Sequence, residues 1–154
     1  MHTKDHKVEI SISLEPIWHE DPPEIILRAG PHHRVLYLKE PITIEFEYCC
    51  RDRSSISVEL VNKQDSDTRP ELGLDKAVVV KSVAFFGITD PKFVWNGIYR
   101  PVYPQAWASQ QKQPLPAKLS SHDYICWNGV WQLDFTVPVF TWMHQVMDHG
   151  WIYD

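Results

Sequence analysis

Three aspartates, Asp65, Asp67 and Asp75, share one polar stretch, 62–76, reading NKQDSDTRPELGLDK. Clustered carboxylates on a loop between strands supply several of the six to eight oxygens that calcium takes. The spacing is not that of an EF-hand, because Arg69 puts a cation where that loop needs an oxygen ligand. The same residues also suit a solvated loop closed by Asx turns. Both readings stand, and only the first brings a cofactor, Ca2+.

A second set is aromatic. Trp95, Tyr99, Tyr103 and Trp107 recur at intervals of four inside a proline-rich stretch. That interval is helical, but Pro101 and Pro104 oppose a helix through it. Amphipathic rings of this kind stack on the apolar faces of sugars or anchor a protein partner. They also serve simply as cover for a sheet that carries no helix. All four are taken as candidate contact residues for a ligand or partner.

The remaining reactive types form no recognisable set. His32 and His33 are adjacent and diverge on a strand, His144 and His149 are five apart, and His19 and His122 stand alone. No spacing matches a zinc site. Cys126 and His122 are a nucleophile–base pair by sequence proximity only. There is no nucleophile elbow, phosphate loop or H-E-x-x-H. Carboxylate pairs for hydrolysis are not selected by any pattern, so no catalytic residue is assigned.

These side chains need elements to hold them. The 154 residues fit one domain, with 12 prolines and 19 aromatics among them, a composition of many short elements. Alternation marks strands at Val8–Leu14, Ile42–Tyr48, Ile56–Leu60 and Trp131–Val137. Shorter apolar runs at 24–29 and 34–38 flank a Gly30-Pro31 turn, and 77–88 reads as a central strand. Arg51 to Ser54 is expected to turn a hairpin between the second and third alternating runs. The Asn-Gly pairs at 96–97 and 128–129 read as type I′ hairpin turns. The tail from Thr141 offers one helical turn or a last strand. The expectation is an all-β, jelly-roll-like antiparallel sandwich of seven to nine strands, with at most one or two short helices. Its parts are a flexible N-terminus, 1–7, and one domain, 8–154, with a long Pro- and aromatic-rich excursion at 89–123.

Charge and cysteine usage exclude several classes. Net charge is −5; residues 1–77 hold 10 basic and 15 acidic side chains, and 78–154 hold five of each. No basic stripe offers itself to nucleic acid. No run reaches the roughly 18 apolar residues of a membrane span. Cys49, Cys50 and Cys126 are odd in number and read as reduced thiols. MHTKDHKVEI carries no apolar signal core, so synthesis in the cytoplasm without a visible export signal is expected.

Two resemblances follow. Residues 55–88, SISVELVNKQDSDTRPELGLDKAVVVKSVAFFGI, resemble the C-terminal half of small calcium-dependent carbohydrate-binding modules of the xylan-binding type. That resemblance implies a jelly roll in which Asp65, Asp67 and Asp75 hold calcium and calcium holds sugar hydroxyls. The chain has Asn62-Lys63 where the family has an Asn-Asp pair. A longer pattern over 42–154 joins the acidic loop, Tyr99-x-Pro101-x-Tyr103-Pro104, Trp127-Asn128-Gly129-x-Trp131 and a Trp-rich tail. It is similar to small β-sandwich proteins of tailed phages, notably phages of cyanobacteria. It implies a virion or tail-associated structural or receptor-binding protein, with a protein partner in a virion or homo-oligomer.

The expected function is accordingly a non-enzymatic binding or assembly module of a virion. A calcium-assisted carbohydrate-binding module, with a glycan as partner, is the alternative. A small jelly-roll hydrolase or isomerase is the third reading.

Overall fold

The computed structural model describes residues 4–147. Its strands are β1 (His6–Ile17), β2 (Glu24–Ala29), β3 (His32–Tyr37), β4 (Ile42–Cys50), β5 (Arg53–Leu60), β6 (Ala77–Phe85), β7 (Ile88–Thr89), β8 (Ile98–Pro101), β9 (Leu119–Ser120), β10 (Tyr124–Ile125) and β11 (Gly129–Thr136). Three helices, α1 (Pro91–Trp95), α2 (Gln105–Ala108) and α3 (Val139–Met147), complete it, with two single 3-10 turns in the acidic loop. Three of the strands are two residues long, which separates eleven observed from the seven to nine expected.

The strands form two antiparallel sheets. One has the order β10-β6-β1-β4, with β7 folded back on β6. The other runs β3-β2-β5-β11-β8-β9. Period-two patterning explains the layering. Val8, Ile10, Ile12 and Leu14 of β1 face Ile56, Val58 and Leu60 of β5 and Trp131, Leu133 and Phe135 of β11 within one core, all of them buried. The all-β sandwich expected from the sequence is the architecture observed.

Two local expectations are overturned. The β4 and β5 runs do not pair as a hairpin. β4 pairs with β1 in one sheet, and β5 pairs with β2 and β11 in the other. Asp52, at φ 61°, turns the chain across the core, and its carbonyl accepts from Val137 N–H at 2.9 Å. Alternation identifies a strand with one buried face but does not say which sheet supplies the partner. Neither Asn-Gly pair forms a hairpin. Asn96 caps α1 at φ −82°, and Gly129 opens β11 at φ 142°. Both glycines answer to close packing: a Cβ on Gly97 would lie 2.3 Å from the Trp131 ring, and one on Gly129 would lie 2.4 Å from the Arg100 carbonyl oxygen.

The two ends of the sandwich differ. At one end α1 and α3 close the core, where Phe85 meets Phe93, Phe135 and Trp142 edge-on at 5.4, 5.0 and 5.2 Å. The described part of the tail, 141–147, belongs to the helix α3, longer than the turn expected; His149 and the last tryptophan lie outside the described residues. At the opposite end, β5 and β8 finish and β6 and β11 begin. There the acidic loop and α2 stand over the edge of the core. β1 begins at His6, so the strand takes in two residues assigned to the N-terminal arm.

Candidate functional site: an aromatic and polar cleft at the open end

Between the acidic loop and α2 lies a cleft of 690 Å³. One wall is aromatic. Trp107 of α2 and Trp127, just before β11, stand 5.4 Å apart at 39°, and Tyr103 meets Trp127 edge-on at 5.1 Å. Pro104 is the N-cap residue of α2, and Trp107, 38% exposed, lines the cleft. The opposite wall carries Gln64, Asp65, Thr68 and Asp75, with Lys63 at its base.

Trp127 is held by a frame that the chain builds from distant positions. Its backbone N–H donates to the Tyr99 hydroxyl at 2.8 Å, and that hydroxyl donates to the Trp127 carbonyl at 2.5 Å. Tyr99 is fully buried, and His122 stacks on it at 5.2 Å and 18°. Beside it, the Asn128 side chain pairs with the Lys63 backbone both ways: Lys63 N–H donates to Oδ1 at 2.8 Å, and Nδ2 donates to the Lys63 carbonyl at 3.0 Å. Asn128 therefore extends the sheet hydrogen bonding to the loop, fixing Lys63 next to Trp127. Tyr103 is tied by its hydroxyl to the Pro116 carbonyl at 2.8 Å.

The expected aromatic quartet is thus divided. Tyr103 and Trp107 come together at 6.0 Å, and of the two Trp107 lines the cleft. Tyr99 is a core residue with no exposed surface. Trp95 is 44% exposed, but α1 packs at the other end of the sandwich. The helical interval between the four is coincidental: they fall on α1, β8, a loop and α2. Trp127, absent from the quartet, completes the wall. Only the sheet topology, which brings the start of β11 beside the end of β8, places it there.

The acidic loop also departs from expectation. Asp67 is buried, its Oδ2 accepting from Gln64 N–H at 2.7 Å and lying 3.3 Å from the ammonium of Lys76. Asp75 Oδ1 accepts from Lys63 Nζ at 2.7 Å, from Thr68 at 2.8 Å and from Lys76 N–H at 2.8 Å. Its Oδ2 accepts from the Tyr124 hydroxyl at 3.1 Å. Asp65 is exposed. Calcium would need several of these oxygens free and converging, yet the Lys63 ammonium already holds Asp75 and the Lys76 ammonium already holds Asp67. Among the described residues no three His, Cys, Asp or Glu side chains are grouped to hold a metal. The donor set does not fit the calcium ion that the carbohydrate-binding resemblance implies.

Three ionisable groups here, Asp75, Tyr124 and Cys126, are shifted away from neutrality. Burial pushes the Asp75 carboxyl up, but the hydrogen bonds from Lys63 and Thr68, the Lys63 charge and the Lys76 N–H outweigh it and hold the group below its usual range. Burial, reinforced by Asp75, lifts the Tyr124 hydroxyl to about 12. Burial also raises the Cys126 thiol, against the pull of Lys63. His122 turns its Nε2 to the Tyr124 carbonyl at 2.5 Å and its ring face to Tyr99, so nothing in these contacts joins it to Cys126 as a base. Two other hollows, of 290 and 500 Å³, lie along β1–β4–β6 and beside Trp142, and neither has a wall of neighbouring indoles.

No protein family and no curated protein matches the chain. Among solved structures it is similar to the module vCBM60 in complex with galactobiose, at 14% identity and a TM-score of 0.45, over 81% of this chain and 96% of that one. It is also similar to the selenomethionine form of vCBM60, described as bearing on two families of calcium-dependent carbohydrate-binding modules linked by circular permutation. There the identity is 12% and the TM-score 0.47, over 84% of this chain and 90% of that one. Identities this low carry no residue over to this chain.

Proposed function

We propose that this chain is a non-enzymatic binding module that holds a carbohydrate in the cleft at the open end of the sandwich, against Trp107 and Trp127. The observation that carries this reading is the pair of neighbouring indoles, 5.4 Å apart and tilted by 39°, facing a wall of amide, carboxylate and hydroxyl groups. A pyranose has that same division, with an apolar C–H face and a rim of hydroxyls. The ring faces complement the first and the polar wall the second. The tilt suits successive sugars that rotate along a chain better than one flat surface.

The chemistry at the cleft favours binding over turnover. A general acid or base works best with a pKa near the operating pH. Asp75 lies below that range, and Tyr124 and Cys126 lie above it. A virion-associated role rests on the sequence resemblance alone, and the cleft adds no separate support for it.

The test is affinity electrophoresis through gels containing soluble xylan, galactan, hydroxyethylcellulose or polygalacturonate. At least one of these should retard the wild type. By analogy with bases stacked on aromatic side chains, removing an indole costs about 1–3 kcal/mol, or about five- to 150-fold in affinity. Trp107→Ala and Trp127→Ala should show that loss, and Trp95→Ala, at the other end, should not. A folded wild type that no polysaccharide retards overturns the proposal.

A further inference from the structure

We infer that the Lys63 ammonium serves in this cleft as the fixed cation that a ligand's oxygen meets, making recognition metal-independent and selective for neutral sugars; this rests on the carbohydrate reading of the same cleft.

Lys63 is unusually constrained for a lysine in a surface loop. Its side chain is 11% exposed. Its backbone is locked on both sides by Asn128. Nζ donates to Asp75 Oδ1 at 2.7 Å and also to the Cys126 carbonyl. An ammonium has three N–H donors. Two are used, and no third acceptor is present among the described residues. Lys63 lines the cleft together with Trp107 and Trp127, and both acceptors of its ammonium, Asp75 and Cys126, line it too, so the remaining donor is assigned to the space a ligand would fill. A donor that stays unmatched in such a place is costly, and a hydroxyl oxygen of a bound sugar satisfies it.

Asp75 does not cancel this role. Its charge is shared among Thr68, Tyr124 and the Lys76 N–H as well as Lys63. The pair instead acts as a rigid donor–acceptor edge, already desolvated and oriented before binding, which limits the entropy lost on association. A divalent ion placed among Asp65, Asp67 and Asp75 would face the ammonium groups of both Lys63 and Lys76. Like charges at such separations repel strongly in a partly buried site. The chain's own lysines therefore occupy the positions where a metal would act.

The same inventory sets the ligand class. Lys63 is the cation of the lining, and Asp65 and Asp75 are its anions, for a net charge of −1. An anionic sugar would meet net repulsion, whereas a neutral one gains the Lys63 hydrogen bond without that cost.

The experiment runs the same polysaccharide gels with excess EDTA and with excess calcium, on the wild type, Lys63→Met and Trp107→Ala. The expected result is equal retardation of the wild type in both conditions by a neutral polysaccharide, with polygalacturonate ineffective. Lys63→Met should bind about tenfold or more weakly, the scale of a hydrogen bond to a charged group. Retardation that EDTA abolishes, or a folded Lys63→Met that binds as the wild type does while Trp107→Ala does not, overturns this inference and leaves the carbohydrate reading standing. Preferred binding to polygalacturonate overturns the neutral-sugar assignment. A wild type retarded by nothing overturns both. If Lys63→Met does not fold, the response of the wild type to EDTA still decides.

Discussion

Replacing Lys76 by methionine would remove the cation from a buried pair and leave its anion behind. The Lys76 side chain is 3% exposed and that of Asp67 9%, with 3.3 Å between Nζ and Oδ2. After the substitution Asp67 keeps the Gln64 N–H at 2.7 Å but loses its neutralising charge. Breaking a buried pair by deleting one partner costs about 3–5 kcal/mol. In a domain of this size each kcal/mol moves the melting temperature by about 2–4 °C, so a fall of about 6–20 °C is expected. Asp67→Asn should cost a similar amount, because it leaves the Lys76 ammonium buried without a counter-charge, with neutral carbonyl oxygens such as that of Asn62, 3.5 Å away, as acceptors. The double variant Asp67→Asn/Lys76→Met removes both charges together. It should be closer to the wild type than either single variant, with a coupling of about 2 kcal/mol or more. Thermal and urea unfolding followed by circular dichroism on all four proteins measures the cycle. Single variants within about 1 kcal/mol of the wild type, or losses that simply add, would refute the reading of Asp67 and Lys76 as a buried, mutually neutralising pair.

Three further outcomes follow from the packing and the charges. Gly97→Ala puts a Cβ 2.3 Å from the fully buried Trp131 ring, and overpacking of that kind costs about 1–3 kcal/mol, visible as a lower urea midpoint with altered tryptophan emission. Because the folded-state Asp75 carboxyl is held below its ordinary value of 3.8, its contribution to stability is complete above that value and is lost as pH falls through the lower folded-state value. Asp75→Asn should therefore flatten the acid limb of the stability profile, and an unchanged limb would contradict the assignment. The Tyr124 phenol should ionise near pH 12, so the ultraviolet absorbance change in that range should be smaller by one phenol in Tyr124→Phe, while the buried Tyr99 still contributes at high pH.

Much of the fold was legible from local pattern. β1, β4, β5 and β11 all fall where alternation puts them, since a half-buried strand must alternate whatever its neighbours are. The Gly30-Pro31 turn also stands as expected between β2 and β3; Gly30 sits at φ 54°, and a Cβ there would run into the Tyr48 ring. The crossing at Asp52 was not legible, because a short polar turn between two alternating runs is equally suited to a hairpin and to a step between sheets. The excursion at 89–123 lacks periodicity because its helices are one turn long and its strands two to four residues.

For the site, residue types alone determined that this chain carries an acidic loop and a proline-set group of aromatics, each able to meet a ligand. Only the tertiary structure decided what those residues do. Burial turned Tyr99 into core, and topology put Trp127 beside Trp107 across some twenty residues of chain. Lys63 and Lys76 sit within the acidic stretch in the sequence, yet a sequence does not say which way an ammonium points. Here both point inward, onto Asp75 and Asp67. The physical reason is desolvation: carboxylates drawn into a partly buried loop must be neutralised, and the nearest cations belong to the chain itself.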